Sequence, residues 1–221
     1  MDAPQWIDVD IPVPGASLPG GLVVPREARG IVAFAHGSGS SRFSCRNQQV
    51  AQALNDRGLA TLLFDLLTAE ENTRDLITAE YRFDIPLLAR RLTEAVDWLA
   101  NHAPTRALAV GLFGASTGAA AALIAAAERP RLVGAVVSRG GRPDLAGNAL
   151  SRVLAPTLLI VGGWDTDVIA LNQQAAQRLN CEHRIVIVPE ATHLFEEPGK
   201  LDEVARLAGD WFVQCLSPAD G

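Results

Sequence analysis

The chain of 221 residues has few cysteines, and none of them has a spacing that binds metal or forms a redox pair. Cys45, Cys181 and Cys215 lie far apart, outside any C-x-x-C or Cys/His ligand pattern. An odd number of scattered cysteines is typical of free thiols rather than of a disulfide framework. The sequence therefore predicts a protein of a reducing compartment that binds no metal.

The sequence also lacks an excess of positive charge and a long apolar run. Its formal net charge is −6 and its pI is about 5.2, so nucleic acid and anionic membrane surfaces repel it. Even the apolar stretch at residues 119–127 ends at Glu128, well short of the roughly 18 residues of a membrane span. The chain opens without the basic segment and apolar run of a secretory signal. We expect a cytoplasmic protein with neither nucleic acid nor membrane as a main partner.

What the sequence does contain is an alternation of short β-branched runs with longer segments of helical period. This pattern is typical of a sheet wound by crossover helices. The link between the first two runs is too short for such a helix, so we expect these strands to pair antiparallel. The later runs are almost continuously apolar, as parallel strands covered on both faces must be. We predict one α/β domain over residues 1–221, with strands near residues 6–11, 21–24, 30–35, 59–64, 107–113, 132–137, 157–161 and 184–188.

Three of the intervening segments have the pattern of helices. Residues 84–101 place apolar side chains on one face, with Asp84 as the expected N-cap. The same pattern recurs over residues 201–215, whereas the alanine-rich residues 119–127 are apolar all round and predict a central helix. The charged residues 67–83 predict either a small lid or a solvent-exposed loop with a turn or two of helix. No insertion is long enough for a separate cap domain.

Residues 114–118 read Gly-Ala-Ser-Thr-Gly and fit the G-x-S-x-G motif. They lie where an apolar strand ends and the alanine-rich helix begins, a turn so tight that the residues flanking the serine must be nearly free of side chain. In this context the serine hydroxyl projects above the sheet, which predicts Ser116 as a nucleophile. The alternative is that Ser116 only caps the helix while Gly114 and Gly118 allow close packing.

A serine hydroxyl needs a base before it can attack at neutral pH, and the chain has four histidines. His193 directly follows the last predicted strand, at the carboxyl edge of the sheet where α/β sites form. His102 ends a predicted helix and His183 starts a strand, so both lie away from that edge, while His36 begins a glycine-rich turn. We therefore expect His193 to be the general base.

The base in turn needs a carboxylate that holds its tautomer and stabilises the imidazolium. Asp165 follows the seventh predicted strand, and a serine, aspartate, histidine order is the one expected when the nucleophile lies on a strand-to-helix turn. We predict Asp165 as the acid. Asp167 is an alternative, with Asp165 then capping the next helix, and Asp144 is another because it emerges at the same sheet edge.

Acyl transfer also needs hydrogen-bond donors for the developing oxyanion. The glycine turn at residues 36–41 follows the third predicted strand, and its Ser38 N–H is one expected donor. Thr117 N–H is the other, because it follows the nucleophile at the positive end of a helix. A nucleotide-binding loop is a weaker interpretation, since the turn lacks the third glycine of the dinucleotide motif and no G-K-[ST] sequence follows. We expect no cofactor.

Taken together, these elements resemble the α/β-hydrolase superfamily, and within it the dienelactone-hydrolase-like branch of small enzymes without a cap. The resemblance covers nearly the whole chain and rests on the motifs after the third, fifth, seventh and eighth strands, namely His36–Gly37, Gly114–Gly118, Gly163–Asp165 and His193. It implies hydrolysis of an ester or related acyl bond through an acyl-enzyme, with Ser116, Asp165 and His193 as the triad. The enzymes that gave the branch its name use cysteine as the nucleophile, so the resemblance does not extend to dienelactone as the substrate.

Four arginines are predicted to lie in loops or helix starts near the same sheet edge, namely Arg42, Arg46, Arg139 and Arg142. The first three are our candidate substrate-binding residues, which would hold a substrate carboxylate, although such arginines are also common as surface charges. The sequence thus predicts a serine hydrolase of a small carboxylic ester or lactone. The competing hypothesis is a binding protein that keeps the fold without turnover, because a fold alone does not fix function.

Overall fold

The computed structural model describes residues 5–216, and within them the eight predicted strands form one sheet. The strands are β1 (Trp6–Val13), β2 (Ala16–Val23), β3 (Ile31–Ala35), β4 (Ala60–Phe64), β5 (Val110–Ala115), β6 (Val133–Arg139), β7 (Thr157–Gly162) and β8 (His183–Val188). Across the sheet their order is β1-β2-β4-β3-β5-β6-β7-β8. β2 pairs antiparallel with β1, as predicted, and with β4, and all other neighbours are parallel.

Strand β2 begins earlier than the sequence pattern predicted. Pro14 and Gly15 alone make the turn after β1, and Gly15 has φ +76°. Pro19 and Gly20, which we expected in the link, lie inside β2. Gly20 is tightly packed there, since a Cβ on it would lie 3.0 Å from Cβ of Phe64 on β4. The sequence pattern could not separate these two strand residues from the true turn residues because both kinds are proline and glycine.

The described residues 5–216 form six helices, and all three predicted helices are present. They are α1 (Cys45–Asn55), α2 (Ala69–Thr78), α3 (Ile85–Asn101), α4 (Thr117–Glu128), α5 (Thr166–Ala176) and α6 (Lys200–Leu216). The helices α1 and α6 pack against one face of the sheet, and α3, α4 and α5 pack against the other. Asp84 caps α3 as predicted by accepting the Leu87 N–H at 3.0 Å. A 3₁₀ segment, Pro143–Arg152, follows β6.

Helix α4 is central, as its alanine-rich sequence predicts. All its residues from Thr117 to Ala127 are buried except Ile124. Small side chains let the helix approach the sheet and α3 closely, which brings its N-terminus to the carboxyl ends of β3 and β5. None of the helices described over residues 5–216 has the length and apolar character needed to cross a membrane.

The segment at residues 67–83 contains more helix than expected. Helix α2 has ten residues, and Thr68 and Glu71 form a reciprocal capping box at its start. Its apolar residues Leu76 and Ile77 are exposed, and Asp75 is its one buried residue. The helix is therefore held by polar contacts rather than by a share of the core.

Candidate active site

Ser116 lies between β5 and α4 in a strained backbone conformation. Its φ is +51° and its ψ is −120°, a region that residues with a side chain rarely occupy. It holds the N-cap position of α4, but its side chain makes no capping hydrogen bond. The helix-cap interpretation of Ser116 is therefore wrong, and such strain without a capping role is characteristic of functional sites.

The glycines on either side of Ser116 make this turn sterically possible. A Cβ on Gly114 would lie 2.5 Å from Cα of Ala119, and a Cβ on Gly118 would lie 2.1 Å from the carbonyl oxygen of Ala35. Neither backbone neighbour can rotate out of the way. The two glycines thus allow β5, α4 and the end of β3 to meet at one point, above which Ser116 sits.

His193 lies in the loop after β8, and Asp165 lies in the loop after β7. The Nδ1 atom of His193 is 2.6 Å from Oδ2 of Asp165, which is a strong hydrogen-bond distance. Asp165 occupies the N-cap position of α5 without using its side chain as a cap, so its carboxylate is available to the histidine. Because Nδ1 faces the carboxylate, Nε2 is the nitrogen left for proton transfer.

The other two candidate carboxylates lie elsewhere. Asp167 is exposed in the first turn of α5. Asp144 accepts two hydrogen bonds from Arg142, at 2.9 and 2.8 Å. Of the three aspartates, the structure places only Asp165 within hydrogen-bonding distance of His193.

Ser116 and His193 line the same cavity, of about 190 Å³, which we call the nucleophile cavity after the role predicted for Ser116. Gly140 supports the histidine ring from behind. It follows β6 with φ +50°, and a Cβ there would lie 2.9 Å from the His193 carbonyl oxygen and 3.5 Å from the ring. This role of Gly140 was not predicted from the sequence, although a Gly-Gly pair directly after a strand is a recognisable turn signal.

The two residues of the predicted oxyanion donors are in contact, and Ser38 lines this cavity. The hydroxyls of Ser38 and Thr117 are 3.0 Å apart, although 79 residues separate them in the chain. Within residues 5–216, neither backbone N–H of this pair donates a hydrogen bond. Both N–H groups are therefore free to bind a ligand oxygen.

His36 holds the turn that carries Ser38. The ring is buried, its Nε2 accepts the Leu66 N–H at 3.0 Å, and its Nδ1 lies 3.0 Å from the Gly37 carbonyl oxygen. Because Nε2 accepts, the proton is on Nδ1 and is donated to Gly37. Burial lowers the pKa of His36, which keeps the ring neutral. His36 thus stabilises the turn that carries Ser38.

Two of the three candidate substrate-binding arginines reach the nucleophile cavity. Arg46 and Arg139 line it, whereas Arg42 forms an ion pair with Asp65 and lines a neighbouring cavity. Arg46 binds Glu196 at 2.9 Å through Nη1, while its Nε is buried and has no hydrogen-bond partner among residues 5–216. The contact with Asp65 explains why Arg42 does not point toward Ser116.

Arg139, the last residue of β6, is a buried charge with no ion-pair partner among the residues that the structure describes. It is 7% exposed, and its Nε and Nη1 atoms contact no hydrogen-bond acceptor in the described part of the chain. Burial, together with the nearby charge of Arg46, lowers the pKa of Arg139 to about 10, so the guanidinium still carries its charge at neutral pH. A buried charge without a partner is costly for folding and is characteristic of a ligand-binding position.

The neighbouring cavity, which we call the side cavity, has a volume of about 370 Å³. Thr68, Ala69 and Asn72 from the start of α2 line it, and Ser40 lines both cavities. Helix α2 thus covers space beside the nucleophile cavity and does not line the nucleophile cavity itself. In the described chain, no group of three or more His, Cys, Asp or Glu residues is arranged to hold a metal ion.

The chain is similar to known proteins over most of its length. The model of the dienelactone hydrolase family matches residues 18–214. Two curated proteins from strains of Mycobacterium tuberculosis, both provisionally named phosphoribosyl transferase, are 58% identical to the chain over 205 residues. That match covers 93% of this chain and 45% of each relative, so the chain spans less than half the length of these curated relatives.

Solved structures agree with the family match. A crystal structure of dienelactone hydrolase from Anabaena variabilis is 59% identical, with a TM-score of 0.96 over 97% of this chain and 100% of that chain. Est1E from Butyrivibrio proteoclasticus is 15% identical, with a TM-score of 0.77 over 94% of this chain and 98% of that chain, a likeness that shows the fold alone. The predicted α/β-hydrolase fold and the resemblance to dienelactone hydrolases are confirmed.

Proposed function

Because this chain belongs to the dienelactone hydrolase family, we propose that it is a serine hydrolase that cleaves a small carboxylic ester or lactone through an acyl-enzyme. Ser116 is the nucleophile, His193 the general base and Asp165 the acid that orients the histidine. The proposal depends above all on the 2.6 Å contact between His193 and Asp165 beside a strained serine that makes no capping hydrogen bond. A strained serine, a histidine and an orienting carboxylate at one sheet edge are the parts that acyl transfer requires.

The proposed reaction begins when Nε2 of His193 takes the Ser116 hydroxyl proton as Oγ bonds to the substrate carbonyl carbon. The carbonyl oxygen becomes an oxyanion, which accepts hydrogen bonds from the Ser38 and Thr117 N–H groups. The carbon–oxygen bond to the leaving group then breaks, and Nε2 returns the proton to that alkoxide. A water molecule, deprotonated by Nε2 in the same way, hydrolyses the acyl-enzyme and restores Ser116.

A fluorophosphonate probe tests this mechanism, because covalent capture requires an activated serine. We expect the wild-type protein to be labelled and to hydrolyse p-nitrophenyl acetate, and Ser116→Ala to do neither, with a loss in kcat on the order of 10⁶. Ser151→Ala is a matched control, since Ser151 is exposed in the 3₁₀ segment. An unlabelled and inactive wild type would favour the competing hypothesis, a binding protein with this fold.

We further propose that Arg139 and Arg46 bind an anionic group of the substrate, a carboxylate or a phosphate. Both guanidinium groups line the nucleophile cavity with buried N–H groups that lack a partner within residues 5–216. An anion at this place would supply the acceptors that the protein does not. Each hydrogen bond to a charged group contributes about 1.5 to 3 kcal/mol.

Three aryl acetates of matched shape test the anion subsite, namely 4-acetoxybenzoate, 4-acetoxyphenyl phosphate and the neutral methyl ester of 4-acetoxybenzoate. We expect Arg139→Met to lower kcat/KM for a charged ester by about 10- to 100-fold and to leave the neutral ester within about threefold. The ratio between the two charged esters distinguishes carboxylate from phosphate. Arg90→Met removes an exposed charge on α3 and is the control. Equal losses on all three esters would contradict an anion subsite.

The provisional name of the Mycobacterium tuberculosis relatives does not alter this proposal. The name describes whole proteins, and the region that matches this chain makes up 45% of each of them. The observations on this chain, a strained serine beside a histidine–aspartate pair, support hydrolysis rather than phosphoribosyl transfer.

A further inference from the structure

A chain of hydrogen bonds links the two oxyanion donors to the segment that follows α2. The Ser38 hydroxyl donates to the Arg82 carbonyl oxygen at 3.1 Å. Since a hydroxyl has one proton, the 3.0 Å contact between Ser38 and Thr117 must be donated by Thr117. The order is therefore Thr117 to Ser38 to the main chain of Arg82.

Asp75 fixes the far end of this chain. Its Oδ1 accepts the N–H groups of Tyr81 and Arg82 at 2.8 and 2.9 Å, and its Oδ2 accepts Nε of Arg82 at 2.8 Å. The Arg82 Nη2 atom donates back to the Asp75 carbonyl oxygen at 2.8 Å. Asp75 is 2% exposed although α2 buries no other residue. The one buried group of α2 is thus the group that holds Arg82 in place.

We propose that Asp75 and Arg82 are positioning residues that set the geometry of the oxyanion hole, an inference that rests on the proposed function. The Ser38 turn contains Gly37 and Gly39, which give its backbone freedom, and an oxyanion hole needs donors placed to within about 0.5 Å. The Arg82 carbonyl, held by Asp75, anchors the Ser38 hydroxyl, and Ser38 in turn anchors Thr117. Helix α2 therefore acts on the reaction through hydrogen bonds that begin at Asp75, although none of its residues lines the nucleophile cavity.

The first test removes the hydroxyls and keeps both backbone N–H donors. Ser38→Ala and Thr117→Val should each lower kcat on the order of tenfold with KM within about twofold, less than the 10²- to 10³-fold loss for removing a donor outright. Thr117→Ser keeps the hydroxyl and should therefore have most of the wild-type kcat. Thr93→Val is the matched control, because Thr93 is another buried helical threonine with a hydrogen-bonded hydroxyl, which donates to the Ala89 carbonyl oxygen on α3. It should change stability and not kcat.

The second test is a double-mutant cycle between Ser38→Ala and Asp75→Asn, in which kcat is measured for each variant. Asp75→Asn alone should lower kcat. The amide NH₂ would replace the carboxylate oxygen that accepts from Nε of Arg82, so two donors would face each other. In the Ser38→Ala background it should have no further effect on kcat, because the link is already broken. The inference would be overturned if the kcat losses of the two single variants multiplied in the double variant. It would also be overturned if Ser38→Ala alone had the kcat of the wild type. If the proposed function itself is wrong, wild-type Ser116 takes up no fluorophosphonate probe, and the two failures are thereby distinguished.

Discussion

Substituting Gly118 by alanine should destabilise the protein, although a glycine-to-alanine change inside a helix ordinarily stabilises by up to about 1 kcal/mol. The added Cβ would lie 2.1 Å from the Ala35 carbonyl oxygen, 2.7 Å from the Ala35 carbonyl carbon and 2.8 Å from the His36 carbonyl oxygen. Ordinary contacts begin near 3.4 Å, so β3 and α4 must separate by more than about 1 Å, which is overpacking of backbone against backbone. We expect a loss of about 3 kcal/mol, equivalent to a fall in Tm of about 6 to 12 °C for a chain of this length.

The loss is measured by urea unfolding, with Gly209→Ala as the helical control. A Cβ on Gly209 of α6 would meet the Arg57 side chain at 2.7 Å, a flexible group that can move aside. Gly209→Ala should therefore be neutral or slightly stabilising. Gly118→Ala should also lower kcat, since His36 leads into the turn that carries Ser38. A Gly118→Ala protein as stable as the wild type would refute the steric argument.

Three further predictions concern the acid, the buried histidine and the substrate. Asp165→Ala should lower kcat by about 10⁴ and Asp167→Ala by less than twofold, and a larger loss in Asp167→Ala would contradict the geometry. Because burial lowers the pKa of His36 in the fold, the unfolded chain takes up a proton at this residue below pH ~6.5 before the folded chain does. Folding stability should therefore fall from pH 7.5 to pH 5.5 in urea unfolding, and His36→Asn should flatten that slope; parallel slopes would refute this. With α2 presenting mainly polar residues to the side cavity, kcat/KM for p-nitrophenyl esters should not increase from butyrate to decanoate, although an apolar tunnel would gain about 0.8 kcal/mol per methylene.

Much of the fold and the proximity of the candidate residues could be predicted because they depend on local patterns. A continuous apolar run defines a buried strand, and the residues that follow parallel strands meet at one sheet edge, which is why Ser116, Asp165 and His193 could be brought together from sequence. Their catalytic roles remain predictions.

What could not be predicted depends on partners distant in the chain. Arg42 looked equivalent to Arg46 and Arg139 until the structure placed Asp65 against it. The buried role of Asp75 was equally hidden, because charged residues in a polar helix usually face water and nothing near Asp75 in sequence signals Ser38.

The absence of a capping hydrogen bond at Ser116 has a consequence for evolution. The strained turn is maintained by Gly114, Gly118 and the packing of α4, so the fold does not depend on the serine oxygen. We therefore expect serine and cysteine to exchange at this position with little change in stability, because the two side chains differ only in the atom bonded to Cβ. Under the proposed function, a change of nucleophile at position 116 thus requires no change in the surrounding architecture.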